Sequence, residues 1–229
     1  MPKVLITGSG KRLGNGLAFE FAAKNWDVAI HYNSSEKSAN ETVSKIKAMK
    51  LNSIAVKADI RKKEEIQNAF EKVISEFGIP DVLVNNAGIF PQAYSTKDLP
   101  EEVWDSAMDI NLKAHFLFSQ VFAKYAHKNS RIVNIASIGG LEIWKQRIPY
   151  NISKAAAIKL TKALARDLAP LISVNCVCPG TVDLPDDSNA PAPKKVVSVK
   201  DIFDAVYFFA TTTPYITGQM LLVDSSYFF

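Results

Sequence analysis

The chain has 229 residues, of which 48% are hydrophobic and 22% charged, and its formal net charge is +4. These are ordinary values for a globular protein and exclude an extensively disordered chain. The basic residues are scattered rather than gathered in a stripe or block, so we expect neither a nucleic acid nor a membrane surface as partner.

Short apolar runs alternate with longer helical patterns along the whole chain. Strands are predicted at 4–7, 27–32, 53–58, 82–85, 131–135, 174–177 and 220–223, and helices near 13–24, 36–49, 63–77, 101–127, 150–168 and 199–211. The strands are apolar almost throughout, as in parallel sheets that are covered on both faces. The pattern therefore predicts an α/β fold in which a doubly wound parallel sheet of about seven strands carries helices on both faces.

The start of the chain, the length of its apolar runs and its two cysteines bear on where the protein acts and whether it binds a metal. The first strand begins at once after Met1, and no apolar run reaches the length of a membrane span, so we expect a cytoplasmic protein. Cys176 and Cys178 share one face of a predicted strand with no further ligands near in sequence. We therefore expect no metal site.

A glycine-rich turn joins the first strand to the first helix, in the sequence Thr7-Gly8-Ser9-Gly10-Lys11-Arg12-Leu13-Gly14. Glycines at such a turn let a phosphate approach the backbone, and the following helix presents N–H groups and a partial positive charge. A turn of this kind can also be a tight connection that needs no ligand, so by itself it is a weak indication of nucleotide binding.

Motifs further along the chain make the indication of nucleotide binding much more specific. They are Asn85-Asn86-Ala87-Gly88, Asn111, Ser137, Tyr150-x-x-x-Lys154 and Cys178-Pro179-Gly180, with Tyr150 placed 13 residues after Ser137. With these motifs the chain resembles the short-chain dehydrogenase/reductase family over essentially its whole length. The resemblance implies one NAD(P)-binding Rossmann-type domain over residues 1–229 that transfers a hydride between nicotinamide and a carbonyl or hydroxyl carbon.

The resemblance and the residue types together define the expected site. The expected catalytic residues are Asn111, Ser137, Tyr150 and Lys154. The expected cofactor contacts are Gly8, Ser9, Lys11, Arg12, Leu13, Gly14, His31, Asn33, Ser34, Ser35, Asp59, Ile60, Asn86, Ala87, Gly88, Tyr150, Lys154, Pro179, Gly180, Thr181 and Val182.

Tyr150 and Lys154 lie one turn apart on a predicted helix, so their side chains share a face. A free tyrosine has a pKa near ~10, and a nearby ammonium group can lower the pKa towards neutrality. We therefore expect Lys154 to lower the pKa of Tyr150, which would donate a proton in reduction and accept one in oxidation. Ser137 would hydrogen-bond the substrate oxygen. The resemblance also implies that Lys154 contacts the nicotinamide ribose and that Asn111 supports a chain of water molecules.

The end of the second strand bears on the choice of cofactor. NAD-binding folds place an acidic residue there for the ribose 2′-hydroxyl. Here the strand ends in His31-Tyr32-Asn33-Ser34-Ser35, with no acid before Glu36, while the glycine turn supplies Lys11 and Arg12. Cations and hydroxyls in place of a carboxylate predict a pocket for a 2′-phosphate, and so NADPH or NADP rather than NADH.

Three functions remain open from the sequence. From 35 through 85, and again at 215–220, the chain resembles 3-oxoacyl-carrier-protein reductases, which makes a 3-oxoacyl thioester one candidate substrate of an NADPH-dependent carbonyl reductase. Arg12 and His31-Tyr32 resemble the pteridine reductases, although those enzymes generally carry an aspartate where this chain has Ser137. The third candidate is a non-catalytic dinucleotide sensor, against which the complete catalytic set counts heavily.

Two further departures from the family pattern concern the substrate loop and the C-terminus. The substrate loop, at about 181–198, is short, and its segment 184–195 holds three prolines. We expect it to leave an open pocket and to be poorly ordered without ligand. The chain ends in Tyr227, Phe228 and Phe229, an apolar cluster that predicts a homo-oligomer, either a tetramer or a dimer.

Overall fold

The sheet of this protein, seen in a computed structural model that describes residues 1–184 and 196–225, has seven strands. They are β1 (Lys3–Ile6), β2 (Asp27–Tyr32), β3 (Ser53–Lys57), β4 (Val82–Asn85), β5 (Ser130–Ile135), β6 (Ile172–Pro179) and β7 (Met220–Val223). The strands pair in the order β3-β2-β1-β4-β5-β6-β7, and every pair is parallel. The predicted doubly wound parallel sheet is confirmed.

The helices connect consecutive strands. They are α1 (Arg12–Ala23), α2 (Glu36–Ala48), α3 (Lys63–Glu76), α4 (Glu101–Met108), α5 (Ala114–Tyr125), α6 (Ile148–Asp167) and α7 (Val199–Thr211). The predicted helix near 101–127 is found as a continuous helical stretch, in which a π-helical turn, Asp109–Lys113, lies between α4 and α5. A π turn inserts an extra residue into a helix and often marks a functional position.

Hydrophobic cores lie on both faces of the sheet, and alternate residues of a strand face opposite sides. In β1, Ile6 packs with α1 and α7, where the rings of Phe21 and Phe203 lie 5.1 Å apart. Its neighbour Leu5 packs with α3 and α5, around Phe70 and Phe122. Because both faces are covered, the strands need apolar residues at nearly every position.

The order in which strands are added to the sheet changes direction between β1 and β4. From β1 the chain proceeds outward to β2 and β3, whereas β4 to β7 extend on the other side. In open α/β sheets, ligands bind outside the carboxyl ends of the strands at such a switch point. The glycine-rich turn follows β1, and the segments carrying the other predicted motifs follow β4, β5 and β6.

The two ends of the predicted substrate loop are described and lie together. Val182 and Val197 form an isolated parallel bridge, in which the amide of Val197 donates to Thr181 at 2.8 Å and that of Asp183 donates to Val197 at 2.9 Å. The predictions for 185–195, and for Tyr227, Phe228 and Phe229, lie outside the described residues. Within 1–184 and 196–225, no helix is long and apolar enough to cross a membrane.

Candidate active site

The glycine-rich turn is fixed against the end of β4. The hydroxyl of Thr7 accepts hydrogen bonds from the amides of Asn86 and Ala87, both at 3.0 Å, and the Asn86 side chain donates to the Thr7 carbonyl at 2.8 Å. Gly8 has a φ of +63°, and a Cβ there would lie 2.9 Å from the Cα of Ala87. Only glycine therefore fits where the turn passes the residues that follow β4.

The first turn of α1 is formed by the last residues of the glycine-rich turn. Lys11 precedes the helix and makes no side-chain capping bond, and Lys11 and Arg12 are both exposed. Arg12 has a φ of +53°, in the left-handed region that favours glycine, at the position where the family pattern usually has one. Helix N–H groups without a capping side chain can bind an anion.

The prediction that His31 faces the cofactor phosphate is wrong. Its ring is buried beneath the glycine turn, where Nδ1 accepts from the Gly8 amide at 3.0 Å and Nε2 lies 3.2 Å from the Ala58 carbonyl oxygen. Burial lowers the pKa of His31 to about 4, so the ring is neutral at physiological pH. Ser9 also turns inward, donating from Oγ to the Ile6 carbonyl at 2.7 Å. Both side chains support the turn from below.

The residues after β2 remain at the surface of the crevice. Asn33 and Ser34 are exposed, and Ser35 precedes α2 without capping it through its side chain. A Cβ at Gly10 would lie 2.2 Å from the Ser35 Oγ, so the glycine turn and the start of α2 are in contact. Lys11 and the hydroxyls of Ser34 and Ser35 therefore belong to one region of the surface.

In the segment after β3, the predicted cofactor contact Asp59 is already paired with a neighbouring arginine. Its carboxylate accepts from the Arg61 guanidinium, at 2.9 Å from Nε and 2.5 Å from Nη2, and this bonding lowers the pKa of Asp59 to about 2. Ile60 is buried. A cofactor base at this position would meet a carboxylate that already has an arginine partner.

Asn111 lies in the π turn and joins two segments of the site. Its Oδ1 accepts from the Ile89 amide at 2.7 Å, and its Nδ2 donates to the Ile89 carbonyl and to the Ser153 Oγ, both at 3.0 Å. Ser153 in turn donates to the Tyr150 carbonyl at 2.9 Å. The extra residue of the π turn is thus held between the loop after β4 and the helix that carries Tyr150. Sequence analysis missed Ser153, although it lies three residues after Tyr150 on that helix.

Ser137, Tyr150 and Lys154 meet at the carboxyl end of β5. Lys154 is buried, and its Nζ donates to the Ile135 carbonyl at 3.0 Å and lies 6.0 Å from the centre of the Tyr150 ring. Gly88 leaves room here, since a Cβ at that position would lie 3.4 Å from the Lys154 Nζ and 3.2 Å from the Asn111 Oδ1. The structure therefore brings the four predicted catalytic residues to one place.

The expectation of a lowered tyrosine pKa is not met in the protein alone. Burial raises the pKa of Tyr150 above its ordinary value, although its hydrogen bond with the Ser137 hydroxyl acts in the opposite direction. Burial also lowers the pKa of Lys154 to about 8. Both shifts have the same cause, because removing a charged group from water disfavours its charged form. The phenol is therefore protonated at neutral pH, and Lys154 is largely charged.

The end of β6 closes the crevice beside β5. The amide of Gly180 donates to the Val223 carbonyl at 2.8 Å, and a Cβ at Gly180 would lie 3.3 Å from the Asp224 carboxylate. Deeper in the strand, the buried thiols of Cys176 and Cys178 lie 3.8 Å apart. No three His, Cys, Asp or Glu side chains in the described part of the chain are grouped so that they could hold a metal ion.

Sequence comparison agrees with this arrangement. A family model described as short chain dehydrogenase matches residues 2–194. The 3-oxoacyl-[acyl-carrier-protein] reductase FabG of Staphylococcus epidermidis is 35% identical over 240 residues, covering 96% of each chain. The protein of the same name from Staphylococcus aureus is 32% identical over 235 residues, covering 96% of this chain and 95% of its own.

Solved structures of similar fold include two with bound cofactor. A short chain dehydrogenase from Burkholderia cenocepacia in complex with NADP has a TM-score of 0.91 and 32% identity, over 98% of this chain and 96% of its own. A blue fluorescent protein from a metagenomic library in complex with NADPH has a TM-score of 0.92 and 29% identity, over 100% of this chain and 98% of its own. The chain therefore belongs to the short-chain dehydrogenase/reductase family of NAD(P)-dependent oxidoreductases.

Proposed function

We propose that this protein is an NADPH-dependent reductase of carbonyl groups, with 3-oxoacyl thioesters as the leading candidate substrates. The observation that carries the proposal is the convergence of Asn111, Ser137, Tyr150 and Lys154 beside the switch-point crevice. The candidate substrate rests on the relatives at 32–35% identity, which are named 3-oxoacyl-[acyl-carrier-protein] reductases.

Tyr150 is the proton donor of the proposed reaction. The hydride that the carbonyl carbon needs would come from NADPH held in the crevice, which would be oxidised to NADP. The C=O bond is thereby reduced to an alcohol, whose oxygen takes its proton from the Tyr150 hydroxyl. Because burial raises the pKa of Tyr150, the phenol holds this proton at neutral pH, which suits it to reduction.

Ser137 and Lys154 support the proton transfer in different ways. The Ser137 hydroxyl, which acts on the pKa of Tyr150, would donate to the developing oxyanion and hold the carbonyl beside the phenol. Lys154 carries a positive charge below a pH of about 8 and would stabilise the phenolate left by proton transfer. Asn111 holds the loop after β4 at this place through Ile89.

The residues at the crevice fit a dinucleotide that carries a 2′-phosphate. The uncapped first turn of α1 would hold the pyrophosphate, and the exposed Lys11 and Arg12 with Ser34 and Ser35 would hold the 2′-phosphate. No acidic side chain stands between the end of β2 and Glu36 to repel it. We therefore propose a preference for NADPH over NADH, to which the NADP and NADPH complexes of similar proteins give support.

The remaining features of the proposal concern the whole molecule. The protein would act as a single domain over 1–229 in the cytoplasm, as a tetramer or a dimer with Tyr227, Phe228 and Phe229 at an interface. Light scattering of the full chain and of a chain ending at 226 tests the assembly. We expect an oligomer for the first and a smaller species for the second, whereas a monomeric full chain would contradict the proposal.

A panel of substrates tests the reaction. We would measure NADPH oxidation with acetoacetyl thioesters, diketones, quinones and dihydropterins, and repeat each assay with NADH. We expect reduction of at least one of the carbonyl compounds, with NADPH preferred. Turnover of dihydropterins alone would instead identify a pteridine reductase, the function that the Arg12 turn favours. If no compound in the panel supported NADPH oxidation, the proposal would be contradicted.

A further inference from the structure

The rings of Phe90 and Trp144 pack against the ring of Tyr150 and form an aromatic corner with it. The Phe90 ring meets the Tyr150 ring at 4.7 Å between centroids and an angle of 87°, and the Trp144 ring stacks on Tyr150 at 5.8 Å and 12°. Phe90 and Trp144 lie 6.1 Å apart at an angle of 77°. Two nearly parallel rings and one perpendicular ring thus pack together at the catalytic tyrosine. We call this group the aromatic corner.

The walls of the aromatic corner are held in place by polar groups. The Arg147 guanidinium lies 4.2 Å from the centre of the Phe90 ring and donates to the Pro91 carbonyl. The Trp144 indole donates to Glu142 at 3.0 Å. Rings fixed by such contacts lose little conformational freedom when a ligand binds, which favours affinity.

The turn after β5 leaves space for the stacked pair. A Cβ at Gly139 would lie 2.9 Å from Cε1 of Tyr150 and 3.1 Å from Cζ3 of Trp144. Any larger residue would push the two rings away from the turn. The position of Trp144 against the catalytic tyrosine therefore depends on the glycine at position 139.

The aromatic corner exposes apolar surface at the entrance to the site. Phe90 is 55% exposed, and Ile143, the neighbour of Trp144, is 92% exposed. Apolar surface of this kind beside polar catalytic groups is typical of a ligand pocket, because a bound molecule can cover it. The chemical character of that molecule should match the rings that it covers.

We propose that the aromatic corner selects carbonyl substrates that carry a flat conjugated ring next to the carbonyl, such as aryl ketones and aryl 3-oxoesters. The proposal rests on the proposed function, since it places the carbonyl beside Tyr150. A flat ring can meet Phe90 and Trp144 face to face or edge to face, whereas a saturated ring of the same size offers only apolar area. The substrate class is therefore set by residues outside the catalytic set.

A matched pair of substrates tests the preference. We would compare ethyl benzoylacetate with its cyclohexyl counterpart, using NADPH and measuring kcat/KM for each. Aromatic pairing predicts about a 3- to 10-fold preference of the wild type for the aryl compound. The Phe90→Leu and Trp144→Leu variants should reduce this ratio to about 1. Phe208→Leu is the control, since Phe208 is 46% exposed on α7 and contacts Phe209 instead.

Binding separates this proposal from the proposed function. With NADP in place of NADPH no hydride is available, so the affinity for both ketones can be measured by calorimetry without turnover. We expect tighter binding of the aryl ketone, lost in Phe90→Leu and retained in Phe208→Leu. Equal affinities, or a preference that survives in both Phe90→Leu and Trp144→Leu, would overturn the aromatic selection. Tighter aryl binding without reduction of either ketone would contradict the proposed function and support the selection.

Discussion

Acid should destabilise this protein through two histidines that are buried in neutral form. Burial lowers the pKa of His31 to about 4, and burial together with the charge of Lys154 lowers the pKa of His115 to about 3. In the unfolded chain both pKa values return to about 6.5. Between these values the unfolded state binds protons that the folded state does not, so stability falls as the pH decreases from about 6.5 towards 4.

The size of the effect follows from the two shifts. Lowering the pH from 7 to 5 stabilises the unfolded state by about 2 kcal/mol for each histidine that stays neutral in the folded state. His31 and His115 together should therefore remove about 4 kcal/mol, a large fraction of the 5–15 kcal/mol typical of a folded domain. Protonation of His31 would also place an N–H group against the Gly8 amide, which now donates to Nδ1.

Urea unfolding at pH 7 and pH 5, followed by circular dichroism, measures this difference. His31→Asn and His115→Gln keep a polar group near the original hydrogen bonds, to Gly8 and to the Ala87 carbonyl respectively. Each substitution should reduce the loss of stability on acidification by about 2 kcal/mol. Replacement of the surface residue His127 is the control. A wild type that loses less than about 1 kcal/mol, or a double variant as acid-sensitive as the wild type, would refute the reasoning.

Three further predictions concern the site. Arg12→Gly should weaken NADPH binding by about 10- to 100-fold and leave NADH binding nearly unchanged, as measured by fluorescence titration, and equal losses for both cofactors would contradict a phosphate contact. Ser153→Ala should lower kcat by about 5-fold with little change in KM, because Asn111 loses an acceptor, and Ser153→Thr should restore part of the rate. The kcat/KM for reduction should fall as the pH rises past about 8, where Lys154 loses its charge, and a profile flat to pH 10 would exclude that role.

The sheet and most of the helices could be predicted from the sequence because their signals are local. A parallel strand covered on both faces, such as Val82–Asn85, needs a run of apolar residues, and such runs are visible in the sequence. The π turn at Asp109–Lys113 depends on the bonds between Asn111 and Ile89, 22 residues apart. No local pattern in a helix reports a contact of that separation.

The errors at the site have a common physical origin in burial. Residue type marks His31 as a possible phosphate ligand, but both faces of its strand are covered, so alternation along the strand does not reveal which side chains reach the crevice. The helical spacing of Tyr150 and Lys154 correctly places them together, whereas their pKa values depend on how much water the fold excludes. Desolvation opposes the charged form of both residues, and this effect exceeds the attraction expected from their spacing.

The Tyr150→Phe variant tests the central claim most directly, because it removes the hydroxyl and keeps the ring. NADPH oxidation with acetoacetyl thioester should fall by about 10²- to 10⁴-fold, while NADPH binding should stay within about 3-fold of the wild type. Tyr215→Phe, at a residue that is 90% exposed, should leave both quantities unchanged. Retention of more than a few per cent of the activity by Tyr150→Phe would contradict the assignment of Tyr150 as the proton donor.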